Sequence, residues 1–136
     1  MPQDYSDHLT PIKSGIFIPH HELLSYEELV RIVRLTASMG MKKIRLTGGE
    51  PLVRKGVIEF IRELMVIDGL EQVRLTTNGV LLQEFAEPLF KAGVRQLNVS
   101  LDTLKADKFS RITGKDFFTR VWHGLEQAME LGFTIK

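Results

Sequence analysis

From Ser25 onward, short apolar runs alternate with longer stretches of helical period. Strands separated by helix-length segments cannot pair through a tight hairpin, so they lie parallel and are joined by crossovers. Ser25 and Glu28 have the spacing of a capping box. They open a helix with Leu29, Ile32, Val33 and Thr36 on its inner stripe, ending at Gly40. Lys43 to Thr47 reads as a strand, and Gly56 to Ile67 as a helix burying Val57, Phe60, Ile61, Leu64 and Met65. Gln72 to Thr76 is a second strand. Leu81 to Ala92 is a helix with Phe85, Leu89 and Phe90 inward, and Pro88 is expected in its first turn because a mid-helix proline costs about 3 kcal/mol. Gln96 to Leu101 is a third strand and Leu104 to Ile112 a short helix. Asp116 is expected to cap a last helix burying Phe118, Val121, Trp122, Leu125 and Ala128, and Phe133 to Lys136 to open a fourth strand. The fold class is α/β, with about four parallel strands and crossover helices. Two architectures fit, part of a (β/α) barrel or a doubly wound open sheet, and both build sites at the C-terminal ends of the strands. Residues 1–22, punctuated by Pro2, Pro11, Gly15 and Pro19, read as a leading loop with a short extended piece at Ile16 to Ile18.

The strand ends carry the polar chemistry. The first strand runs into Thr47-Gly48-Gly49-Glu50-Pro51. Paired glycines let a ligand lie against bare backbone, and the acid that follows can meet a cationic group. The second strand ends in Thr76-Thr77-Asn78-Gly79. The third alternates, so Asn98, Ser100 and Asp102 are expected on one side and Leu97, Val99 and Leu101 on the other. A buried parallel strand is normally apolar on both faces. One polar face must therefore meet water, a ligand or a hydrogen-bonded barrel interior. Each cluster also has a plain structural reading: glycines as a turn, Thr-Asn as a helix cap, Arg45 as half of an ion pair. His20 and His21 are expected to be exposed in the leading loop, and Trp122 to be core.

Composition narrows the partners. The 136 residues carry a formal net charge of +1, with 43% hydrophobic and 26% charged residues, which suits one globular unit. Nothing in that balance calls for a nucleic-acid polymer. No apolar run approaches the roughly 18 residues of a membrane span, and Met1 to Leu9 has no signal-peptide core. A cytoplasmic protein with no membrane partner is expected. The chain has no cysteine. It therefore has no disulfide, no thiolate zinc site and no iron–sulfur cluster held by its own thiolates, and no metal ligand is assigned.

Taken in order, Arg45 to Arg54, Thr76 to Gly79, Asn98 to Leu104 and Ile112 to Gly114 resemble the radical S-adenosylmethionine (SAM) superfamily. More narrowly they resemble its GTP 3′,8-cyclase family, which acts in molybdenum cofactor biosynthesis. Leu24 to Glu28 and Ala37 to Gly40 extend the likeness over nearly all of the chain. The resemblance implies an incomplete (β/α) barrel of which residues 1–136 form a central part. It implies SAM contacts at Gly49, Glu50 and Ser100, GTP contacts at Arg45 and Thr76, and a GTP-binding lysine at or beside Lys136. The implied chemistry is reductive cleavage of SAM at a 4Fe-4S cluster, hydrogen abstraction from the GTP ribose and closure of that ribose carbon onto guanine C8. The product would be (8S)-3′,8-cyclo-7,8-dihydroguanosine 5′-triphosphate.

One departure from the family is large. The family's cysteine triplet precedes a Met-Pro pair, and Met1-Pro2 stands at the start of this sequence. Met1 is therefore expected to be internal to a longer reading frame. The cluster cysteines then lie outside this chain, which is expected to be inactive alone, and no catalytic residue is assigned. Unpaired strand edges would invite self-association. Three other readings compete with the cyclase fragment: a truncated nucleotide-binding module without catalysis, a different radical SAM enzyme and, more weakly, a plain phosphate-binding (β/α) barrel.

Overall fold

The computed structural model describes residues 23–136. The expected leading loop, its extended piece at Ile16 to Ile18 and the histidines at 8, 20 and 21 lie outside the described residues.

The elements follow in the order α1 (Tyr26–Ser38), β1 (Lys43–Leu46), a 3-10 turn (Pro51–Val53), α2 (Val57–Met65), β2 (Gln72–Thr77), α3 (Leu82–Ala92), β3 (Gln96–Val99), α4 (Ala106–Thr113), α5 (Phe118–Leu131) and β4 (Thr134–Ile135). The capping box forms: Ser25 Oγ accepts from the Glu28 N–H at 3.2 Å and the Glu28 carboxylate accepts from the Ser25 N–H at 2.7 Å. The four strands pair parallel in the order β1-β2-β3-β4. That order decides between the two architectures. A doubly wound sheet reverses its strand order at a switch point. A sequential order with crossovers of one hand sets every helix on the same face. Accordingly α1 packs on α2, α2 on α3, and α3 on α5. The sheet is an arc of a (β/α) barrel, with one face under helices and the other the barrel's inner side.

Strand alternation sorts the residues between these faces. Val73, Leu75, Thr77 and Leu97 are buried toward the helices, and Ile44, Leu46, Val99 and Ile135 pack against the same core. Ile61 and Leu64 of α2 and Leu82 and Leu89 of α3 close that core without exposure. The opposite parity gives the inner face: Lys43, Arg45, Gln72, Arg74, Thr76, Gln96, Asn98 and Thr134. Every one of these is polar.

Several expectations are corrected. Ile32 is 48% exposed; α1 packs only at the edge of the layer and turns Val30 and Ala37 inward instead. Pro88 lies inside α3, not in its first turn, because burial of Leu82, Ala86, Leu89 and Ala92 holds the helix together on both sides of it. Asp116 is not the cap of α5; Phe117 occupies that position and Asp116 is exposed. Trp122 is 38% exposed, stacked on Phe118 with its indole N–H donating to Glu126 at 2.9 Å. The inward side of α5 belongs to Val121, Gly124 and Ala128. Their small size lets α5 lie close on α3: a Cβ on Gly124 would sit 2.8 Å from the Gln83 backbone N.

Candidate functional site

The C-terminal end of β1 is shaped by two exposed glycines and one buried acid. Gly48 has φ +148°, and the space where a Cβ would project is open. A ligand could therefore approach the backbone there without meeting a side chain. Glu50 is only 5% exposed. Its Oε1 accepts from the Leu52 N–H at 3.1 Å and the Thr77 hydroxyl at 2.8 Å, and its Oε2 from the Asn78 N–H at 2.7 Å. A buried carboxylate needs such donors to offset its lost hydration. Glu50 thus caps the 3-10 turn and ties the β1 loop to the end of β2.

At the end of β2 the residues divide in two. Thr77 faces the helices, donates to Glu50 and accepts from the Gly79 N–H at 3.1 Å. Asn78 Oδ1 accepts from the Val80 N–H at 2.9 Å, the side-chain turn expected of asparagine at such a position. Gly79 has φ +82°, and a Cβ there would press on Val121 and Val99 at 3.0 and 3.1 Å. These three residues build the turn. Thr76, half-buried, is on the inner face.

Register aligns the remaining residues. Arg45 pairs across with Arg74, which pairs with Gln96, which pairs with Thr134. Two residues further along, Thr76 pairs with Asn98. The Lys136 N–H donates to Leu97 O at 2.9 Å, and Lys136 O accepts from the Val99 N–H at 2.8 Å. In a parallel ladder this sets Lys136 level with Asn98. Ser100 donates its N–H to Thr77 O at 2.9 Å, so the ladder continues one residue past β3. Asp102 lies beyond the strand in a bend, so the expected alternation does not reach it. Arg45, Thr76 and Lys136 thus share the inner face, while Gly49 and Ser100 sit where their strands leave the sheet at the same end. Glu50 is beside them but turned into the core. Arg74 was not singled out from sequence; the alternation Gln72-Val73-Arg74-Leu75-Thr76 carries the signal that it shares a face with Thr76.

The groups with shifted ionisation lie elsewhere. Burial pushes the Tyr26 hydroxyl up, against the opposing charge of Arg54. Lys42 holds Glu71 below the usual carboxylate range, and Lys91 does the same to Glu87. A cavity of about 530 Å3 opens between the start of α2 and α3, lined by Val53, Lys55, Glu84 and Phe85, on the helical layer and not at the strand ends. Among the described residues no three His, Cys, Asp or Glu gather as metal ligands. With no cysteine in the sequence, the residues present do not fit an iron–sulfur cluster.

A parallel one-sided arc whose strands end in Gly-Gly-Glu-Pro, Thr-Thr-Asn-Gly and Asn-Val-Ser is accounted for by family: residues 6–136 match the radical SAM superfamily, and the chain belongs to it. Among its relatives are proteins named GTP 3′,8-cyclase. That of Geobacter sulfurreducens is 50% identical over 116 residues, covering 85% of this chain and 36% of its own length. That of Thermodesulfovibrio yellowstonii is 48% identical over 115 residues, with the same two coverages. Molybdenum cofactor biosynthesis protein 1 of Drosophila melanogaster is 41% identical over 130 residues, 96% of this chain and 23% of its own length. The chain thus spans 36% or less of the length of these three relatives.

Proposed function

We propose that this chain is the central part of the barrel of a GTP 3′,8-cyclase of molybdenum cofactor biosynthesis, holding GTP and SAM at the strand ends. The observation that carries this reading is the inner face, where Arg45 stands one row below Thr76 and Lys136 at the end that the Gly48-Gly49 loop borders. Arg45 suits a phosphate because its guanidinium offers a fixed fork of donors. Thr76 supplies a hydroxyl to a ribose or base edge, and Lys136 a mobile ammonium. The open backbone at Gly48, with the exposed Gly49 after it, is suited to the SAM methionyl group. Ser100 offers a hydroxyl across the rim. Glu50 has two oxygens and three protein donors, so a lone-pair direction remains for an ammonium group. In the family SAM supplies one-electron hydrogen abstraction, a step that depends on an iron–sulfur cluster this chain has no thiolate to hold. The chain's own residues bind and orient. Among the described residues no helix is long and apolar enough to cross a membrane, and we place the protein in the cytoplasm.

The test is nucleotide titration of the 136-residue chain. GTP should bind saturably and in preference to ATP, and Arg45→Ala and Thr76→Ala should each weaken it by about tenfold or more, the range for a charge-assisted contact or a buried polar one. Incubation with SAM and reductant after iron–sulfur reconstitution should give no 5′-deoxyadenosine. GTP binding indifferent to both substitutions, or stoichiometric 5′-deoxyadenosine, would reject the reading.

A further inference from the structure

The segment after β1 is tethered from two sides. Glu50 ties it inward to the end of β2. Four residues on, Arg54 closes the 3-10 turn, its N–H donating to Pro51 O at 3.3 Å and its carbonyl accepting from the Val57 N–H at 3.2 Å. The Arg54 side chain reaches back to the entry of α1. There Nη2 donates to Leu24 O at 2.6 Å, and the guanidinium carbon lies 4.1 Å from the centre of the Tyr26 ring. Phe60 stacks on the same ring, with centroids 4.2 Å apart and planes 13° apart. Two groups at such distances cannot share one face, so Tyr26 is sandwiched between Arg54 and Phe60. The Tyr26 hydroxyl donates to Arg54 O at 3.4 Å. A residue that only filled space beside Tyr26 would need no charge. Arg54 is half-buried, and the ion pairs among the described residues are Lys42–Glu71, Arg62–Glu59, Lys91–Glu87, Arg111–Asp107 and Arg120–Glu84. Its charge is thus directed at a backbone carbonyl and an aromatic face, two contacts that hold a planar guanidinium in one orientation.

We infer that Arg54 is a positioning residue for the Gly48-Gly49 loop: it registers the segment that carries the loop against the entry of α1, and so sets the surface offered to the SAM methionyl group. The inference rests on the proposed function for the identity of the ligand and on the Arg54 contacts for the tether. The 3-10 turn acts as a strut fixed at both ends, by Glu50 to β2 and by Arg54 to α1. Leu52, between them, is 2% exposed, so the strut cannot slide without opening the core. Arg45, Thr76 and Lys136 are placed by the strand ladder instead. The tether therefore acts on the SAM side of the site and not on the GTP side.

Calorimetric titration of the 136-residue chain with SAM and, separately, with GTP tests this. Arg54→Met keeps the aliphatic stem and removes the donors. It should weaken SAM binding by about fivefold or more, on the scale of one charge-assisted hydrogen bond, and leave GTP affinity as in the parent. Arg54→Lys, which can donate to Leu24 O and place a cation over Tyr26, should recover part of the loss. Hydrogen exchange of the Gly49 and Glu50 amides, followed without ligand, should quicken in Arg54→Met and return toward the parent rate in Arg54→Lys. A lower melting temperature with SAM affinity unchanged would assign Arg54 to stability alone and overturn the inference. Equal weakening of SAM and GTP would overturn it too, since the loss would then be general. So would exchange at Gly49 and Glu50 that the substitution leaves unmoved. If circular dichroism shows Arg54→Met unfolded, Arg54→Lys decides: SAM affinity reduced with GTP affinity intact supports the tether, and SAM affinity unchanged overturns it. A parent chain that binds GTP but not SAM overturns the inference and leaves the nucleotide part of the proposed function standing. A parent that binds neither rejects both.

Discussion

Glu50 shows how one side chain can fix the border of a site. The carboxylate is buried against three donors from two separate segments, so the β1 loop and the end of β2 are placed by the same pair of oxygens. Glu50→Gln keeps the volume but turns an amide NH2 toward groups that are themselves donors. We expect a loss of about 2–3 kcal/mol of stability in urea unfolding, the scale for a charged hydrogen bond replaced by a mismatch. Thr77→Val removes one donor and one acceptor of the same network and should cost about 1–2 kcal/mol. The double variant should lose less than the sum, because both changes break the 2.8 Å bond between Glu50 and Thr77. Strict additivity would mean the two do not act through one network. Sequence shows an acid after Gly-Gly and invites its reading as a ligand contact. That its carboxylate is turned inward depends on the Thr77 and Asn78 donors, which are 27 and 28 residues away.

Between elements, α5 lies close against α3, and glycine sets the spacing. A methyl group on Gly124 would stand 2.8 Å from the Gln83 backbone N and 3.0 Å from Leu82 Cβ. Gly124→Ala should therefore destabilise by about 1–3 kcal/mol, as overpacking does. Adding Leu82→Ala should not rescue it, since the clash is with backbone and with a Cβ that alanine keeps; recovery of the melting temperature in that double variant would contradict this account. A second contact tests charge. Lys42 Nζ lies 2.8 Å from Glu71 and lowers that carboxylate's pKa. A lowered acid contributes stability above its unfolded pKa and loses it as pH falls through the folded one. Lys42→Met should return the Glu71 titration, followed by NMR of its side chain, toward the ordinary value of 4.5. The element order and the parallel pairing were legible because helical period, strand alternation and glycine stops are local signals. Which stripe of each helix turns inward was less so. Ile32 and Trp122 have the right spacing for core, but no described element packs over α1 at Ile32, and on α5 the small Gly124 takes the place against α3.

For the molecule as a whole, the open question is what meets the uncovered side of the arc. Polar residues at successive strand ends could be read from sequence, and so could their common end of the sheet. Their alignment in rows could not, because register is set by pairing over long separations, as in Arg45 with Arg74 and Thr76 with Asn98. The same pairing leaves β1 and β4 each with one partner among the described residues. A parallel edge presents a run of free N–H and C=O groups, which natural sheets cover or blunt. On β1 the blunting available is charge, from Lys43 and Arg45, and it points to the inner face, not along the edge. Two copies could therefore pair edge to edge while their cationic faces repel, and salt should tip that balance. We expect the weight-average mass in sedimentation equilibrium to rise with protein concentration, and to rise further as added salt screens the repulsion. Proline substitution at Ile44, which removes a backbone donor in β1, also breaks its pairing with β2 and cannot separate the two effects. Lys43→Glu can, since it keeps the strand and lowers the like charge on the face: it should promote association at low salt and flatten the salt dependence. A parent chain whose mass stays that of one copy at every concentration and salt level would show that the edges are already satisfied.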